Sequence, residues 1–137
     1  MATASNLMAF GMAPDLARRI GVTTVSVQSQ GASRASANGI LGHNAFAYVT
    51  ASNSGSGIVL PSVGGDLTAF DGALLGDTIG VANLLSASIV VYAPTGMTFT
   101  GDGASTDGAT GISVATNRTA QFYPLTATTY AVVKASA

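Results

Sequence analysis

The stretch "GISVATNRTAQFYPLTATTYAVVKA", residues 111–135, places apolar residues on alternate positions in three short runs, Ile112 and Val114, then Ala120 and Phe122, then Tyr130 and Val132. Two-residue periodicity is the spacing of a pleated strand, whose successive side chains point to opposite faces, and it cannot form the stripe of a helix. Between the first two runs stands Asn117, a residue that tolerates the left-handed corner of a tight turn. Three strands in 25 residues predict an all-β chain, and the same pattern extends backward through most of the sequence.

It returns in AFAYVTA (45–51), GIVLP (57–61), DTIGVAN (77–83), ASIVVYAP (87–94) and GMTFTG (96–101), and begins after Val22, where Val25 and Val27 face one way and Thr24, Ser26 and Gln28 the other. Ser-Asn-Ser-Gly-Ser-Gly at 52–57, Gly-Gly-Asp at 64–66, Pro-Thr-Gly at 94–96 and the glycine-rich 101–108 supply turn chemistry between the runs. Eight or nine short strands so punctuated predict a jelly-roll-like β-sandwich or a small barrel over residues 22–137, one domain in a chain of 137 residues.

Only residues 1–21 depart from this pattern. Leu7, Met8, Phe10 and Met12, then Leu16, Ala17 and Ile20, recur at helical spacing, and Pro14, Asp15, Arg18, Arg19 and Gly21 sit where helix ends prefer them. An N-terminal helical arm of two short helices is predicted. Its apolar residues Leu7, Met8, Phe10, Met12, Leu16 and Ile20 form a candidate interface, either as an adaptable knob for another protein or as a cover for one end of the chain's own sheet.

Composition narrows the function. Charged residues make up 8% of the chain and apolar residues 47%, with a formal net charge of -1. Ordinary domains carry about 25% charged residues, and this deficit leaves neither a basic patch for nucleic acid nor an acidic tail. A surface so poor in ions predicts burial against copies of the same chain or against a partner. Absence of cysteine rules out a disulfide framework and a thiolate zinc site, so packing and backbone ladders must hold the fold. The opening residues contain neither a basic leader with an apolar core nor a run approaching the roughly 20 residues of a bilayer span, and we expect a protein made in a cytoplasm, without a membrane partner.

Catalytic and ligand-binding chemistry finds little material. His43, in Gly42-His43-Asn44, is the one natural general base; no Gly-x-Ser-x-Gly elbow presents a serine to it, and Gly111–Ala115 reads as a strand. Asp102 and Asp107 could ligate a hard cation, but their spacing matches no EF-hand loop, so turn formation is the preferred reading. No phosphate-cradling glycine loop occurs. Phe46 and Tyr48 share a strand face, which could offer a stacking surface for carbohydrate or single-stranded nucleic acid, but core and inter-subunit packing is the preferred reading of the aromatics. No catalytic residue, cofactor site or metal site is expected.

The run "SIVVYAPTGMTFTGDGASTDGATGISVATNRTAQFYPLTATTYAVV", residues 88–133, resembles the C-terminal half of small virion proteins of tailed phages. Val91, Tyr92, Pro94 and Gly96 match a turn of that family type; Ser113, Val114 and Phe122 match its next strands; Thr128, Thr129, Tyr130 and Ala131–Val133 match its last. "LMAFGMAPDLARRIG" at 7–21 is similar to the opening of such proteins. The resemblance implies a head-decoration, or cement, protein: a β-sandwich that forms dimers or trimers on the outside of the capsid and clasps neighbouring copies of the major capsid protein. It carries over no active-site residue. A tail or portal-associated structural module, or a receptor- or carbohydrate-binding one, is the alternative expectation.

Overall fold

The computed structural model describes residues 11, 24–40, 46–64, 72–101 and 107–134. They form ten strands: β1 (Thr24–Gln30), β2 (Asn38–Gly39), β3 (Phe46–Asn53), β4 (Gly57–Val59), β5 (Ile79–Asn83), β6 (Ile89–Tyr92), β7 (Thr98–Thr100), β8 (Ile112–Val114), β9 (Arg118–Thr126) and β10 (Thr129–Lys134). The expected all-β architecture is what these residues build. The helical arm lies outside the described residues.

Two mixed sheets pack on one core. One has six strands in the order β1-β3-β5-β9-β10-β7, the other four in the order β2-β4-β6-β8. Ile58, Ile89, Val91 and Val114 of the smaller sheet and Val49, Val81, Phe122 and Tyr130 of the larger belong to one continuous buried cluster. The pairing differs from a jelly roll, whose neighbouring strands run antiparallel. Here β1, β3 and β5 are mutually parallel, as are β2, β4 and β6. Ten strands make nine connections, and all but the β9–β10 hairpin pass from one sheet to the other. The first six strands therefore wind as a short two-sided superhelix, and β8 and β9 close it antiparallel against β6 and β5.

Local chemistry explains why the chain crosses between sheets where it does. At the corner after β1, Gly31 has φ +71°, and its carbonyl accepts hydrogen bonds from Ser56 N at 3.0 Å and Gly57 N at 3.1 Å, which locks one coil onto the next. A Cβ on Gly57 would stand 2.6 Å from the Gln30 carbonyl oxygen, so only glycine allows the coils to approach this closely. Ser29, fully buried, donates to the Gly55 carbonyl at 2.9 Å in the same corner.

Asn83 performs the corresponding task after β5. Its buried Nδ2 donates to the carbonyls of Ala87 at 2.8 Å and Val114 at 3.0 Å, while its Oδ1 accepts from Leu85 N at 3.0 Å. One side chain thereby closes the crossover and ties it to β8 in the opposite sheet. Buried amides are tolerated only when so satisfied. Asn117, at φ +55°, makes the β8–β9 corner that its side chain suits, with Arg118 N bonded to the Ala115 carbonyl at 3.1 Å.

Pro124 lies within β9, where a proline would ordinarily break a ladder. It stands beyond Phe122, the partner of Ile79 at the start of β5, and beside the irregularity at Thr129/Tyr130, so the missing N–H falls where the pairing is already interrupted. Opposite it, Tyr130 is fully buried and donates its hydroxyl to the Pro61 carbonyl at 2.7 Å. Burial first, and the negative charge of Asp77 second, push the Tyr130 phenol far above its ordinary value of 10.0.

A raised folded-state value means that the folded protein holds this proton when the unfolded chain releases it. Stability is thus unaffected by this group below about pH 10 and falls above it, by up to about 1.4 kcal/mol per pH unit. Tyr130→Phe is expected to lose about 1 kcal/mol at neutral pH, for the missing hydrogen bond, and to abolish this alkaline slope. Urea titrations of both proteins from pH 8 to 11.5 check it; equal slopes above pH 10 would refute the assignment.

Candidate functional site

The outer face of the six-stranded sheet is the most distinctive surface among the described residues. Away from the strand ends, alternation assigns its side chains directly: inward positions are buried, or half-buried at Val25 and Val27 on β1, and outward ones are exposed or half-buried, except on β5, where all five residues are buried. Register then aligns the outward residues in rows across the sheet. Thr24, Phe46, Gly80, Gln121 and Val133 form one row; Ser26, Tyr48, Ala82 and Thr119 a second; Tyr123, Ala131 and Thr100 a third.

No charged side chain occurs in these rows. The two basic residues of the sheet stand at strand ends, Arg118 opening β9 and Lys134 closing β10. At a strand spacing of about 4.8 Å, six strands make a plate about 25 Å wide. Hydroxyls on the plate bond to one another, as Ser26 Oγ and Thr50 Oγ1 do at 3.1 Å, and Tyr123 donates to Gln121 Oε1. Short Ser, Thr, Ala and Val side chains lose little rotamer freedom when covered, so docking on this face costs little side-chain entropy.

Phe46 and Tyr48 are half-buried side by side on this face, as the alternation predicts. The Phe46 ring lies against Gly80, its partner in the neighbouring strand, and a Cβ there would come within 2.5 Å of Phe46 Cδ2. The ring therefore fills the gap that a glycine leaves in a sheet and covers the backbone of β5. Phe122 and Tyr123 point to opposite faces, Phe122 packing in the core against Phe99 with ring centroids 5.8 Å apart.

Large apolar side chains continue from the plate to one end of the sheet. Leu125, 53% exposed, lies beyond Phe122 on β9, and Leu75, 62% exposed, sits in the turn that leads into Ile79 opposite Phe122. That turn is held by Asp77, which accepts from Leu74 N at 2.7 Å and donates its own N–H to the Leu74 carbonyl at 3.0 Å.

Of the residues singled out from sequence, Leu7, Met8, Phe10, Met12, Leu16 and Ile20 lie outside the described residues, as do His43 and Asp102. Asp107 acts as a turn former: its carboxylate accepts from Ala109 N at 2.8 Å and from Thr110 Oγ1 at 3.3 Å. Among the described residues no group of three or more His, Cys, Asp or Glu gathers where a metal could sit. Outward alternation on β1 was readable in advance; the alignment of β1, β3, β5, β9 and β10 into one uncharged plate was not, because it depends on which strands become neighbours.

Comparison with known proteins adds no relative: no protein-family model, curated protein or solved structure matches the chain.

Proposed function

We propose that the protein is a structural component of a phage virion, a cement protein that lies on the outside of the capsid and stabilises contacts between major capsid subunits. The observation that carries this reading is the uncharged outer face of the six-stranded sheet, a plate of Thr, Ser, Gln, Ala and aromatic side chains. Such a surface matches a flat, weakly charged protein surface and offers nothing to a polyanion. The resemblance of residues 88–133 to virion proteins of tailed phages supports the major capsid protein as the partner.

The mechanism is that of a staple. A shell strained along its subunit seams is stabilised by anything that binds the assembled seam better than the separated subunits, in proportion to the logarithm of concentration over dissociation constant. Oligomerisation multiplies the effect, since a second arm of a dimer or trimer binds at high effective concentration. With so few ionic contacts, the attachment is expected to weaken little as salt rises.

Thr24 and Val133 stand at opposite edges of one row, and both are exposed, Val133 at 55%. Thr24→Lys and Val133→Lys should each leave stability within about 0.5 kcal/mol of the parent, as surface changes do. Each should weaken co-sedimentation with purified phage shells at least tenfold, because a lysine must be desolvated at the contact. Stoichiometric, salt-tolerant binding by the parent with loss in both variants supports the staple. A parent protein that sediments as a monomer and ignores every shell, or that instead binds glycans on an array, overturns it.

A further inference from the structure

A second feature lies away from the plate, at the ends of the three parallel strands of the smaller sheet. Register sets Gly39 beside Val59 and Val59 beside Tyr92, so the C-terminal ends of β2, β4 and β6 fall in one row. The ladder continues past them, with Ile40 N bonded to the Val59 carbonyl and Leu60 N to the Tyr92 carbonyl, each at 3.0 Å. Beyond that row opens a cavity of about 650 Å³. Tyr130 braces its wall from the core through its bond to Pro61.

The lining has two chemistries. Val59, Leu60, Pro61 and Pro94 supply apolar wall beside the hydroxyls of Ser62 and Thr95, and Arg34, from the turn after β1, supplies the one charge among its described residues. Arg34 is half-buried and makes no ion pair or hydrogen bond with another described residue, whereas Asp77, one of only two described carboxylates, is occupied in its own turn. A guanidinium presents a planar fork of donors that fits a carboxylate, and cavities of roughly 300 to 1,000 Å³ are the size that holds small molecules.

We propose that this cavity binds an aliphatic carboxylate, its head on the Arg34 guanidinium and its body against Val59, Leu60, Pro61 and Pro94. The acid recognised is of moderate length with a single negative end, since a fully apolar guest would leave the guanidinium unanswered. The site is separate from the uncharged plate and does not depend on the shell-binding reading.

Calorimetric titration of the full chain with octanoate, with octanamide as the uncharged control, tests it. Octanoate should bind with one-to-one saturation, octanamide at least tenfold more weakly, and Arg34→Gln should erase most of that difference. Arg34→Lys keeps the charge but not the fork and should fall between the two. Gly39→Leu should remove binding altogether: a Cβ at Gly39 meets only Val59 Cγ1, at 3.9 Å, so a longer side chain enters without moving the backbone. Amide NMR spectra establish that each variant is folded. Absence of saturable octanoate binding, equal binding of octanamide, unchanged affinity in Arg34→Gln, or retained binding in Gly39→Leu each overturns the proposal.

Discussion

Asn83→Asp should unfold far more easily at neutral pH than the parent, and recover much of the loss as the solution is acidified. The substitution changes almost nothing in shape. Its effect comes from direction: Nδ2 of Asn83 donates to two carbonyls, Ala87 and Val114, and a carboxylate oxygen in that place can only accept. Two carbonyl dipoles then face a buried negative charge, and a group that is fully buried in the parent has no water to answer it.

The sign follows from linkage. Burial against acceptors raises the folded-state value of the new carboxyl above its unfolded value of about 3.9, so the folded protein favours the protonated form. Below about pH 4 the group is neutral in both states, and the deficit shrinks to about 1 kcal/mol, since one O–H replaces two N–H donors. As pH rises past 4, stability falls by up to about 1.4 kcal/mol per unit until the folded-state value is reached, giving a loss of about 4 kcal/mol or more at pH 7. Asn83→Ala should lose about 3 kcal/mol with no such pH dependence. Urea midpoints at pH 4 and pH 7 separate the two; a pH-independent deficit in Asn83→Asp would show that the three hydrogen bonds do not carry the corner.

Phe122→Ala is expected to be the most damaging truncation in the core, at about 3 to 5 kcal/mol. Phe122 is wholly buried near the middle of the six-stranded sheet, between Ile79 on β5 and Val132 on β10, and its ring meets Phe99 at a tilt of 48°. It therefore joins three strands and β7 beyond them at one point. Removing it leaves a cavity that rigid strands on either side cannot collapse into, which is why the loss exceeds simple transfer of the ring to water. Against a total stability of about 5 to 15 kcal/mol, this takes a large fraction. Phe122→Leu should cost about half as much. The measurement is the urea midpoint at unchanged slope, and a loss below about 1.5 kcal/mol for alanine would mean that the core under the six-stranded sheet holds together without this ring.

Much of the local structure was legible residue by residue. Val25 and Val27 against Thr24, Ser26 and Gln28, Ile112 and Val114 around Ser113, and Phe122 against Tyr123 all point as a two-residue period demands. Asn117 takes the corner that its chemistry favours, and Asp107 the turn. The two-residue strand β2 escaped, since Asn38-Gly39 carries no alternation to read and becomes a strand only through its pairing with β4. The candidate plate was half visible, because each strand announced which residues would face outward, and wholly ambiguous in assembly.

What the amino acids determined alone is therefore the class of fold, the position and facing of nearly every described strand, and a surface starved of ions. Those properties reside in the pleat, which alternates whatever lies beside it, and in composition, which no folding can change. What only the tertiary structure decided is who neighbours whom: the parallel winding of β1, β3 and β5, the crossover fastened by Asn83, Phe46 laid on Gly80, and Arg34 brought to the mouth of a cavity with Val59 and Pro94. Alternation tells a strand which face is buried but not which edge it will meet, and edges are chosen by packing between residues tens of positions apart.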